Sequence, residues 1–141
     1  MLFSFTHGEK IATINEHIGL LRLRHDIDEL FARGKRLRYD GKIGVRYIVL
    51  ENSSDAHPLL FLLVTPKRYI RKAHERNKLK RWLREVVRNS ESMEKLAMQL
   101  QNANRQMIVS LFIREKPSAR MNWDVIRREV EDIAQQLSFF G

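Results

Sequence analysis

Asn77, Arg81, Arg84 and Arg88 stand at i, i+4, i+7 and i+11, the spacing that lines side chains along one face of a helix. Lys78 and Lys80 flank that row, and Lys67, Arg68, Arg71, Lys72 and Arg76 lead into it. Such a row suits polyphosphate, because the planar Arg fork grips phosphate oxygens bidentately. One helical turn rises about 5.4 Å, close to phosphate spacing along a strand, so successive turns can meet successive phosphates. These contacts give affinity and register but little reading of sequence. Glu85 reads as an ion-pair partner of Arg81 or Arg88.

The charge is concentrated there. The 141 residues carry 26 Lys and Arg against 17 Asp and Glu, a formal +9. Residues 66–88 alone hold ten basic and two acidic side chains, giving +8. Residues 22–46 give +4, whereas residues 89–141 balance at seven of each sign. A merely solvated face intersperses signs, so the 66–88 cluster reads as a polyanion-binding surface.

Other chemistries find no support in the pattern. Cysteine is absent, which excludes disulfides, thiol nucleophiles and Cys-ligated zinc. The five histidines (His7, His17, His25, His57 and His74) form no His-Glu-x-x-His or i, i+4 pair, so no metal site is expected. No glycine-rich phosphate loop, Gly-x-Ser-x-Gly or paired carboxylates stand out, so no catalytic residue is assigned. No apolar run approaches the ~20 residues of a membrane span, and the N-terminus does not read as a secretory signal. A soluble, cytoplasmic single domain over residues 1–141 is expected.

The elements that must position the basic row follow from periodicity. Residues 25–33 read as a short helix with Ile27, Leu30 and Phe31 as its apolar stripe, and with Gly34 as its C′ residue. Residues 35–39 form a short strand, and Tyr39-Asp40-Gly41 a turn. Residues 43–50 and 59–65 are strands joined by a loop; the second is a continuous apolar run expected to be central and covered on both faces. In the helix over 72–88, Leu79, Leu83, Val86 and Val87, with Trp82 at the margin, dock on the sheet. Residues 90–105 read as helix or loop, 107–113 as a strand, and 114–121 as a loop. A final amphipathic helix covers 123–137, with Asn122 or Asp124 near its start. The result is an α+β fold, a single-layer, mostly antiparallel four-stranded sheet with helices packed on it, in the order α-β-β-β-α-β-α. Residues 1–19 are an extra segment without an assigned role, either an added strand or a loosely docked arm.

Val64-Thr-Pro-Lys-Arg-Tyr-Ile-Arg-Lys-Ala-His-Glu-Arg76-Asn77-Lys78-Leu79-Lys80-Arg81-Trp82-Leu83-Arg84-Glu85 resembles the signature of the bacterial ribonuclease P protein family, with Lys78 where Arg is usual. Residues 23–35 resemble that family's first helix, and 107–117 its last strand and following loop. The resemblance spans residues 20–138. It implies the ribosomal S5 domain 2-like fold, including an unusual left-handed crossover around the basic helix. It also implies the protein subunit of a ribonucleoprotein endonuclease that removes 5′ leaders from precursor tRNA. On that reading the partners are ribonuclease P RNA and precursor tRNA, with no membrane and no protein partner. The RNA carries the active site and its Mg²⁺, the basic helix docks on the RNA, and a cleft between the first helix and the sheet holds the single-stranded leader.

Physics supports such a cleft independently, since single strands bind aromatic platforms beside positive charge. Phe31 and Tyr47, with Arg33, Lys35, Arg36 and Arg46, supply both. Phe31 matches a cleft aromatic of the family, and Ile27 stands where an aromatic is usual. Core burial is the competing reading of Phe31 and Tyr47, and packing the favoured one of Trp82. A general structured-RNA or ribosome-assembly protein is the alternative function. A protein-only nuclease would need clustered carboxylates.

Overall fold

The computed structural model describes residues 12–21, 24–52, 57–116 and 122–141. Along the chain these form β1 (Ala12–Thr13), β2 (Ile18–Leu20), α1 (Arg24–Arg33), β3 (Lys35–Arg36), β4 (Ile43–Leu50), β5 (Leu59–Val64), α2 (Ala73–Arg88), α3 (Glu91–Asn102), β6 (Gln106–Ile113) and α4 (Trp123–Leu137). One sheet takes the strands in the order β1-β2-β5-β6-β4-β3. β5 runs parallel to β2 and β6, while the other three pairings are antiparallel.

Register decides which side chain faces which helix, because cross-strand partners share a face. Tyr47, Val109 and Phe61 are partners on one face, and Arg46, Ser110 and Leu62 on the other. The first face carries the main core. There Val45, Phe61, Val109 and Leu111 join Leu83 and Val87 of α2, Leu96 and Leu100 of α3, and Val130 and Ile133 of α4. The second face carries a small cluster in which Leu30 of α1 meets Leu60, Ile48, Ile108 and Leu21. The apolar run of β5 is thus central, with core on both sides.

The sheet has six strands, against the four expected. The additions come from short edge segments. Asn15 turns the chain between β1 and β2, its Oδ1 accepting the His17 and Ile18 amides at 3.0 Å each. β2 then pairs with the edge of β5, which would otherwise present unpaired backbone groups. Residues 1–11 of the extra segment lie outside the described residues, as do 53–56 and 117–121 of the two expected loops. Residues 91–102 resolve as helix because Ser90 caps them, accepting the Met93 amide at 3.1 Å. Ser90 and Ser92 donate in turn to the Glu131 carboxylate of α4.

Gly34 ends α1 for a different reason than a left-handed C′ conformation, since no glycine has positive φ among the described residues. Its amide donates to the Leu30 carbonyl at 2.8 Å. A Cβ there would lie 2.1 Å from that same oxygen, so only glycine fits the turn into β3.

Candidate nucleic-acid interface

α2 is fixed by one side and charged on the other. Leu79, Leu83, Val86 and Val87 are buried, whereas Asn77, Lys78, Lys80, Arg81 and Arg88 are exposed. Arg84 is half-buried. Trp82 packs edge-on against Trp123, ring centroids 6.0 Å apart, and Lys78 lies 4.8 Å over its face. Trp82 therefore braces α2 against α4.

The basic side chains divide by what they already hold. Arg76 donates to the Ile70 and Arg71 carbonyls at 2.9 and 2.7 Å, clamping the turn that enters α2. Lys67, Arg68, Arg71 and Lys72 are exposed on that turn, and Arg68 lies 5.0 Å over the Tyr69 ring. At the far end, Arg88 pairs with Glu85 at 2.7 Å and donates to the Ile14 carbonyl at 3.2 Å. Of the two partners open to Glu85 in sequence, Arg81 and Arg88, the structure pairs it with Arg88. The bond to Ile14 was hidden in sequence, because residue 14 lies 74 positions away. Arg81, with Lys78 and Lys80 beside it, is left as the exposed centre of the row.

A second surface opens beside α1. A helix of ten residues spans only about 15 Å. It covers Leu60, Ile48 and Ile108, and the adjacent rows, Arg46–Ser110–Leu62 and Gly44–Phe112–Val64, lie beyond that cluster on the same face. Leu30 is buried, but Phe31, one position on, turns out to 53% exposure with the Arg46 guanidinium 6.0 Å from its ring. Ile27, one turn earlier, is half-buried at the margin of the cluster. Arg36, the register partner of Arg46, extends this face to the sheet edge. Ser110 Oγ is buried and lacks a partner among the described residues.

Tyr47 does not join Phe31. It is 6% exposed on the opposite face, 5.1 Å from the ring of Phe140, and burial raises its phenol pKa. Lys35 is its register partner and shares that face. Arg33, at the end of α1, pairs with Glu29 at 3.3 Å. The aromatic absent from the expected set is Phe112. Its place in an apolar run marks it as core, and only the glycine across from it, residue 44, signals its position.

Among the described residues no three His, Asp or Glu side chains come together as a metal site. No described helix is long and apolar enough to cross a membrane.

A basic helix beside a sheet face with an exposed aromatic suits RNA, and the comparison with known families is decisive. The sequence model described as Ribonuclease P matches residues 19–138. The chain belongs to the ribonuclease P family. A solved structure, the RNase P protein from Thermotoga maritima, superposes with a TM-score of 0.61 at 24% identity, covering 82% of this chain and 94% of that one. None of the curated proteins matches. The chain is thus a ribonuclease P protein subunit, an RNA-binding component of the endonuclease that matures tRNA 5′ ends. Residues 12–18 precede the family match yet build part of the core. Ile14 and Ile18 are buried, and His17 Nδ1 lies 3.1 Å from Glu94 Oε1.

Proposed function

We propose that α2 and the turn before it dock on the ribonuclease P RNA, through Lys67, Arg68, Arg71, Lys72, Lys78, Lys80, Arg81 and Arg84. Arg76 shapes that surface and Arg88 anchors its end. The open face beside α1 takes the 5′ leader of precursor tRNA, with Phe31 as stacking wall, Arg46 and Arg36 as phosphate partners, and Leu62 and Phe112 as floor. The observation that carries this reading is Phe31: a large aromatic held out of the core, with a guanidinium over its ring, at the border of a sheet face that no other described helix covers.

The chemistry belongs to the RNA subunit, which with its substrate holds the Mg²⁺. The protein's part is electrostatic: its cations lower the repulsion between two polyanions and so strengthen substrate and metal binding. The working place is the cytoplasm. A cleavage assay on precursor tRNA tests the whole. The chain alone should leave the substrate intact and should stimulate its cognate RNA at low Mg²⁺; cleavage without RNA, or RNA that gains nothing, refutes the reading. Dependence of affinity on leader length separates it from general structured-RNA binding.

A further inference from the structure

The face opposite Phe31 carries its own aromatic group at the β3 edge. After α4 the chain continues in a turn whose amides are satisfied. Phe139, Phe140 and Gly141 donate to the Gln136, Leu137 and Leu137 carbonyls at 3.2, 3.0 and 3.2 Å. Side chains from elsewhere pin the same turn: Gln99 donates to the Ser138 carbonyl and Arg105 to that of Gly141, both at 2.9 Å. The turn is therefore built, and yet it holds Phe139 85% and Phe140 48% exposed. Folding alone does not favour two phenyl rings held in water, and large apolar groups kept outside mark a contact surface.

The surroundings identify the contact. Phe140 packs on Tyr47, and the two rings line two adjoining hollows of about 440 and 330 Å³, within the range of small-molecule sites, roughly 300–1,000 Å³. Arg36 and Arg38 line the larger hollow, and Arg33 and Lys35 the smaller. The one carboxylate there, Glu51, is engaged by Arg105 at 2.9 Å. Arg33 is paired with Glu29, but Lys35, Arg36 and Arg38 hold no ion pair among the described residues, and rings that stack beside such cations are the chemistry of an unpaired nucleic-acid strand. Bases offer a flat π-face to each ring while the phosphates between them meet the cations, so one strand engages both features. Arg36 also connects the two faces: it lines this hollow, and its register partner Arg46 lies against Phe31.

We propose that Tyr47, Phe139 and Phe140, with Arg36 and Arg38, form a second stacking site for unpaired RNA, reached over the β3 edge from the Phe31 face. On the leader reading above, on which this part rests, its occupant is the upstream part of a long leader. The site needs only backbone charge and exposed bases, so it is tolerant of sequence.

The test uses the full chain in two settings. In the first, the chain alone binds a labelled oligouridylate. The F139A variant and the F139A/F140A pair should weaken binding, the pair by about tenfold; Phe139 is so exposed that F139A leaves the thermal midpoint unchanged. In the second, the reconstituted holoenzyme binds precursor tRNAs of graded leader length. Wild type should gain affinity in two stages, with F31A removing the first and the F139A/F140A pair only the second. Loss on the oligonucleotide without any leader-length dependence in wild type keeps the RNA site and sinks the leader reading. Wild-type binding by both variants in both settings overturns the proposal. So does a pair whose sole effect is to abolish self-association in sedimentation, which would make the platform a contact between copies.

Discussion

Gly44 lies directly under the ring of Phe112, its antiparallel register partner, and a Cβ on Gly44 would fall 2.1 Å from that ring. The glycine thus lets a phenyl lie down on the sheet face beside α1 instead of standing off it. G44A should displace the ring at an overpacking cost of about 1–3 kcal/mol in urea denaturation, and should lower affinity for long-leader substrate. Wild-type leader affinity in a folded G44A would show that the ring's position is irrelevant to binding.

Phe31 makes the complementary case. Its ring is mostly in water, so F31A should shift stability by no more than about 0.5 kcal/mol. It should cost about 1–3 kcal/mol of leader affinity, the range for one stacked base, while affinity for the RNA subunit holds. Equal losses toward both RNAs would remove Phe31 from a leader site.

Arg81 and Arg76 share a motif but differ in work. R81A removes an exposed cation, so RNA binding should fall by about 1 kcal/mol and its salt slope by about one ion. Stability should be unchanged. R76A frees the Ile70 and Arg71 carbonyls that the guanidinium holds, so it should lower stability as well as binding. Parallel thermal melts and salt-dependent titrations separate the two; identical behaviour would place both in one role.

The chain before the family match is structural. Ile18 is fully buried, paired with Leu59 across the β2–β5 edge. I18A should therefore cost about 2–5 kcal/mol by chemical denaturation, as for a buried large-to-small change. A cost under 1 kcal/mol would mean that the segment only rests on the sheet.

What the sequence reveals, and what it hides, follows from range. α2 was legible throughout, since its cations and its apolar stripe repeat within one helix. The strand over 59–64 was legible because six apolar residues, Leu59 to Val64, follow one another between Pro58 and Thr65, a run of strand length. β1 and β2 were not, for two- and three-residue strands have no period and exist only by pairing with β5. The parity of Tyr47 was hidden in the same way. Arg46 and Tyr47 are adjacent, and only the register with Ser110 and Val109 decides which meets α1. Phe112 is the converse, an apolar residue whose open side no pattern shows.

Tyr39 gives a prediction in pH. Burial, then the Glu129 and Asp132 carboxylates, raise its phenol to about 12 from 10, with Arg114 opposing. The folded state therefore holds the proton more tightly than the unfolded chain does. The stability this contributes is complete below pH 10 and is lost as pH rises through about 12. Phenolate absorbance of the folded chain should show one of its three tyrosines titrating near that value, and Y39F should delete that step. Y39F should also flatten the fall in stability above pH 10. A Y39F chain that keeps the late step would assign it to Tyr47, whose phenol burial also raises.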